Sequence, residues 1–129
     1  MPWMIYGANG YTGEMIAREA AKRGMRPILA GRNEAAIAAL ATQLSLPSRV
    51  FSLNSEAEIL QGLNDVDLVL HCAGPFSETA EPMMLGCLQT KTHYLDITGE
   101  ISVFELAQSL SGKARKQKIV LCPGVGFDV

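Results

Sequence analysis

Three glycines separated by two residues each, in Gly7-Ala8-Asn9-Gly10-Tyr11-Thr12-Gly13, lie between a short apolar run and an amphipathic stretch. The run Trp3–Tyr6 reads as a buried strand that stops at Gly7. The stretch Tyr11–Arg23 reads as a helix, with Met15, Ile16, Ala17 and Ala20 on its apolar side and Gly24 placed to end it. A chain that must leave a strand and enter a helix within so few residues needs a residue free to turn sharply, and Gly7 supplies it. Gly10 leaves the backbone uncovered on the outside of the turn. Gly13 lets the helix start close to the strand.

The same alternation continues to the end. Pro27–Ala30 reads as a second strand, and Asn33 caps a helix carrying Ile37, Leu40, Ala41 and Leu44 at helical spacing. Arg49–Leu53 reads as a third strand, and Ser55-x-x-Glu58 is a capping-box pattern opening a short helix to Leu63. Val66–Cys72 is the most hydrophobic strand. A helix from Pro82 to Gln89 follows, with Pro82 in its first turn. His93–Ile97, one helix over Ile101–Gln117 and a sixth strand over Ile119–Cys122 complete the series. Strands alternating with helices pair in parallel through right-handed crossovers. The expected architecture is α/β: a Rossmann-type, doubly wound, six-stranded parallel sheet of order 3-2-1-4-5-6 in three α/β/α layers, filling residues 1–129 as a single domain.

In such a sheet a glycine loop that follows the first strand and opens a helix is a dinucleotide site. Gly7, Asn9, Gly10, Tyr11, Thr12 and Gly13 are therefore candidate cofactor contacts, with amides near Tyr11 and Thr12 facing the pyrophosphate at the positive end of the helix dipole. No Gly-Lys-Ser/Thr follows, which excludes a P-loop. The second strand ends in Gly31-Arg32-Asn33, where NAD-preferring domains usually place Asp or Glu to hold the ribose 2′-hydroxyl. A guanidinium in that place suits a 2′-phosphate. Arg32 and Asn33 thus join the set, and NADP(H) is expected in preference to NAD(H).

Composition sets the outer limits. The net charge of −2 gives no field that would gather nucleic acid or an anionic membrane. The basic run Lys113–Lys118 reads as a solvated helix end, and no apolar stretch approaches a membrane span. Cys72, Cys87 and Cys122 show no CxxC pairing, so neither a disulfide framework nor a metal site is expected. Reduced thiols and a strand beginning at Trp3, without a leader, suggest the cytoplasm.

The cleft should lie beyond the C-terminal strand ends, where strand order reverses. Ala73-Gly74-Pro75 after the fourth strand suits a backbone passing under a ribose. Asp96 and Glu100 after the fifth strand and Asp128 after the sixth are candidate catalytic carboxylates, able to orient a substrate or move a proton. Turn and capping roles explain the three equally well. His71 reads as a satisfied buried histidine and His93 as structural. No tyrosine has a lysine four residues on, which disfavours a short-chain dehydrogenase or sugar-nucleotide epimerase. An NADP-binding redox-sensing regulator without catalysis is the alternative to an oxidoreductase.

GANGYTG, LAGRN, HCAGPF, YLDITGE and PGVGFDV, in that order, resemble the N-terminal NADP-binding domain of saccharopine dehydrogenase-like oxidoreductases, a group that includes relatives of the trans-acting enoyl reductases. The resemblance implies hydride transfer between a nicotinamide cofactor and a small-molecule substrate. It implies that Gly7, Gly10, Gly13, Arg32 and Ala73-Gly74-Pro75 line the cofactor, and that Asp96, Gly99 and Glu100 approach the nicotinamide or substrate. It also implies that full-length members continue into a larger α+β domain that shapes the substrate site and often dimerises, so that residues 1–129 form the cofactor domain of a longer protein.

Overall fold

The apolar runs form one six-stranded, all-parallel sheet of order β3-β2-β1-β4-β5-β6 in a computed structural model that describes residues 1–125. The strands are β1 (Trp3–Tyr6), β2 (Ile28–Gly31), β3 (Ser48–Val50), β4 (Leu68–His71), β5 (His93–Asp96) and β6 (Leu121–Cys122). Between them run α1 (Tyr11–Lys22), α2 (Glu34–Leu44), α3 (Glu56–Gly62), α4 (Phe76–Thr90), α5 (Ile101–Ser109) and α6 (Ser111–Gln117). The expected strand order and three layers are present.

Strand alternation divides the core in two. Ile5 and Leu29 point to one face, where Ala17 of α1 and Ile37, Leu40 and Ala41 of α2 bury them. Met4, Tyr6, Ala30, Val69 and Tyr94 point to the other, against Ile59 of α3, Met83, Met84 and Cys87 of α4 and Val103 and Ala107 of α5. Both faces of a parallel sheet are thus covered, which is why its strands read as nearly unbroken apolar runs. The connections from β1 and from β3 leave in opposite directions, so the sheet opens a crevice between the C-terminal ends of β1 and β4.

Several strand ends shift by a residue or two, and three larger differences from expectation each have a local reason. The third strand stops at Val50 rather than Leu53. The Phe51 amide still donates to the Gly31 carbonyl at 3.0 Å, but the Ser52 amide turns away to Glu58 Oε1 at 3.2 Å. The fourth helix starts at Phe76, not Pro82. The amides of Glu78 and Thr79 both reach the Pro75 carbonyl, at 3.0 and 3.2 Å, and close the first turn early. Pro82 then lies inside α4, where it withholds only the bond its amide would give Glu78. The single helix expected over Ile101–Gln117 is two, meeting at Leu110 with ψ near 2°. Serines on both sides of Leu110 favour a break, and Ser109 Oγ donates to the Leu106 carbonyl at 2.7 Å.

A cofactor cleft at the strand reversal

The glycine loop is shaped by what its missing side chains would strike. Gly7 has φ +86°, and a Cβ there would lie 2.8 Å from the amide nitrogen of Ala73 on the neighbouring β4 loop. A Cβ on Gly13 would overlap the Gly7 carbonyl oxygen and lie 2.9 Å from Ala8 Cα. A Cβ on Gly10 would meet only the Gly7 oxygen, at 3.4 Å, an ordinary contact. The space in front of Gly10 is therefore left open to the cleft rather than filled by protein. Glu14 is the first residue of α1 whose amide bonds within the helix turn, to Gly10 at 2.8 Å, and the amides of Tyr11, Thr12 and Gly13 precede it. No side chain caps this end of the helix. A backbone cradle, free amides and the positive end of α1 together fit the diphosphate of a dinucleotide.

Eight of the eleven expected cofactor residues border one cavity of about 500 Å³: Gly7, Asn9, Gly10, Arg32, Asn33, Ala73, Gly74 and Pro75. Tyr11, Thr12 and Gly13 do not border it; Tyr11 is exposed at the start of α1 and Gly13 is buried behind the loop. Arg32 is exposed and forms no ion pair among the described residues, where the only two pairs are Arg18–Glu14 and Arg23–Glu19. Asn33 Oδ1 accepts the Ala36 amide at 3.0 Å and so caps α2 while facing the cavity.

Of the catalytic candidates, Asp96 and Glu100 do not border this cavity. Asp96 is fully buried, and its carboxylate accepts the Tyr94 hydroxyl, the Thr98 amide at 3.0 Å and the Gly124 amide at 2.9 Å. Burial and this bond push the Tyr94 phenol far above its usual range, so it stays protonated and donates. Glu100 is exposed at the N-terminus of α5, its amide donating to Thr98 Oγ1 at 3.1 Å. Asp128, with Gly126 and Phe127, lies outside the described residues.

His71 departs from the expected satisfied histidine. Its Nε2 lies 2.9 Å from Thr79 Oγ1, but Nδ1, also buried, has no partner among the described residues. Burial lowers its pKa to about 3, so it is neutral at ordinary pH. The Thr79 hydroxyl in turn donates to the Ala73 carbonyl at 2.7 Å, tying β4 and α4 to the loop that borders the cavity. Cys72 also borders the cavity, yet burial pushes its thiol up to about 12, so no reactive thiolate forms there.

Several bordering residues are not assigned to the cleft by the sequence: Tyr6, Ser52, Leu53, Asn54, Glu78, Thr79 and Pro82. The rule that cleft residues follow each strand end would have found Ser52–Asn54 had β3 been read as ending at Val50. Placing the start of α4 at Phe76 would have brought Glu78 and Thr79 to the cleft.

Among the described residues no helix is long and apolar enough to cross a membrane, and no three His, Cys, Asp or Glu side chains group to hold a metal ion. The saccharopine dehydrogenase-like oxidoreductase of Homo sapiens is 25% identical over 97% of this chain. A relative from Arabidopsis thaliana, named as a probable mitochondrial saccharopine dehydrogenase-like oxidoreductase, is 29% identical over 97%. The chain spans about a third of the length of these relatives, 34% and 31%. The fold matches apo saccharopine dehydrogenase (L-Glu forming) from Saccharomyces cerevisiae with a TM-score of 0.83 over 98% of this chain and 27% of that one, at 17% identity. Residues 3–121 match the model of the saccharopine dehydrogenase NADP binding domain, so the chain belongs to that family and NADP is the cofactor of the domain.

Proposed function

We propose that this domain binds NADP(H) for an oxidoreductase that transfers hydride between the nicotinamide and a small-molecule substrate. The nicotinamide supplies the hydride chemistry. The protein's part is to hold the dinucleotide and exclude water. In this reading Gly7, Asn9 and Gly10, with the amides of Tyr11, Thr12 and Gly13, hold the diphosphate. Arg32 pairs with the 2′-phosphate, Asn33 stands beside it, and Ala73-Gly74-Pro75 passes along the nicotinamide half. The observation that carries the proposal is Arg32 itself, an exposed cation with no ion pair among the described residues, which borders the cavity just past β2, where the sequence Gly31-Arg32-Asn33 offers no carboxylate to hold a free 2′-hydroxyl.

Among the carboxylates, Asp96 is given a holding role, because its oxygens already accept three donors. Glu100 is the exposed candidate for orienting a substrate or moving a proton, and Asp128 remains a candidate from the sequence alone. The substrate site and a homodimeric assembly are assigned, as the family resemblance implies, to a longer protein of which residues 1–129 are one domain. Three free cysteines, with the thiols of Cys72 and Cys87 both pushed up by burial, suit the cytoplasm proposed for it. The family match gives the regulator alternative no support.

Titration of the protein with NADPH and NADH by nicotinamide fluorescence tests the reading. NADPH should bind more tightly, and Arg32→Ala should weaken NADPH by about tenfold or more while changing NADH little. Equal affinities in the unmodified protein would remove the assignment of the 2′-phosphate to this cleft.

A further inference from the structure

One wall of the cleft comes from no glycine motif. Ser52, Leu53 and Asn54, the turn that follows β3, border the same cavity as Arg32. The turn is held from two sides. From β1, the Tyr6 hydroxyl donates to the Phe51 carbonyl at 2.7 Å, a buried bond between residues 45 apart in sequence. From α3, Glu58 Oε1 accepts the Ser52 amide at 3.2 Å. Within the turn, Ser52 Oγ accepts the Asn54 amide at 3.0 Å.

The reach of Tyr6 is set by the sheet. Tyr6 lies opposite Ala30 in the β1–β2 register, and β2 separates β1 from β3. To meet Phe51 the phenol must pass over β2, and the small side chain at Ala30 leaves room for it. The ring then packs on Phe51 with centroids 4.9 Å apart. Burial lifts the phenol to about 12, so it remains a donor at any working pH; the Arg32 guanidinium acts against that rise and the Glu58 carboxylate with it. Both charges thus act at the same hydroxyl that anchors the turn.

We propose that Tyr6 is a positioning residue for cofactor choice: its hydroxyl holds the Ser52–Asn54 turn beside Arg32, so that turn and guanidinium together grip the 2′-phosphate. The inference deepens the NADP(H) reading of this cleft and rests on it. Without the hydroxyl the Phe51 carbonyl would be buried and unpaired, and the turn would shift to find it a donor. The Ser52 hydroxyl and the Asn54 side chain, the short donors of this wall, would then lose their register with Arg32. NADH lacks the phosphate that the wall grips, so it should notice the change less.

The test is Tyr6→Phe, which keeps the ring and removes only the hydroxyl, titrated with NADPH and with NADH. NADPH affinity should fall about threefold to tenfold, the scale of one buried hydrogen bond, and NADH affinity by less than about twofold. An unchanged NADPH affinity, or an equal loss for both cofactors, overturns the inference. A lack of NADPH preference in the unmodified protein is a different result and overturns the cofactor assignment instead. Should Tyr6→Phe fail to fold, Ser52→Ala, at a half-exposed position, decides in its place. It should narrow the NADPH preference in the same way, and an unaltered preference there overturns the inference equally.

Discussion

Gly10 and Gly13 look alike in the motif but answer to different constraints. A methyl at Gly13 would run into the Gly7 carbonyl and the Ala8 backbone, neither of which can give way without moving the loop. A methyl at Gly10 would touch nothing closer than 3.4 Å. Gly13→Ala should therefore destabilise the fold by about 1–3 kcal/mol, even though alanine suits a helix better, and urea denaturation measures it. Gly10→Ala should leave the urea midpoint nearly unchanged yet weaken NADPH binding, because its methyl would occupy the space kept open for the diphosphate. A Gly13→Ala protein as stable as the unmodified one would show that loop and helix are not packed this closely. The motif made all three glycines legible as a loop, with Gly10 on its open side and Gly13 against the helix packing, but it could not tell a close contact at Gly13 from a forbidden one. That distinction depends on Ala8 and the Gly7 carbonyl, which come near Gly13 only once α1 is laid against β1.

Apart from the break that divides the last helix into α5 and α6, element identity and order were legible, because buried parallel strands and amphipathic helices have different apolar periods. The ends were not, and the unread part of the cleft lies at those ends. The Ser52 amide leaves the ladder for Glu58, a partner six residues on that no periodicity announces. Pro82 looked like a helix start because proline is favoured there, but Thr79 and Pro75 had already closed the first turn. Helix contacts bear on the cleft as well. A Cβ on Gly86 of α4 would lie 2.5 Å from Ile59 Cγ2 on α3, the helix whose Glu58 holds Ser52. Gly86→Ala should push α3 away from α4 at a loss of about 1–2 kcal/mol, read from the urea midpoint, with a smaller loss in NADPH affinity through the displaced turn. A stability loss with NADPH affinity intact would mean that α3 does not support the wall.

For the molecule as a whole, the reversal of strand order both makes the cleft and buries what lies beneath it. β1 and β4 sit side by side at the centre of the sheet, so Tyr6 and the residues just past the two strands, Gly7 and Cys72, border the cavity, while His71 at the end of β4 faces the interior among the rings of Tyr6, Phe76 and Tyr94. A histidine in that place is neutral in the folded protein, with its pKa lowered by burial to about 3. The unfolded chain titrates it near 6.5, so below that pH the unfolded state takes up a proton that the native state refuses. The sign follows: the stability is fully present above about pH 6.5 and falls as pH drops toward 3, by about 1.4 kcal/mol for each pH unit in that window. Between pH 7.5 and pH 5 the loss from this one residue is about 2 kcal/mol. His71→Asn, which keeps a polar group able to meet Thr79 Oγ1 but does not titrate, should flatten that part of the profile whatever its effect at pH 7.5. Urea denaturation of both proteins at the two pH values measures the difference. The same loss in His71→Asn as in the unmodified protein would place the acid sensitivity elsewhere. A flattened profile would show that the sheet's central crossing, the feature that shapes the cofactor cleft, also sets how far the fold tolerates acid.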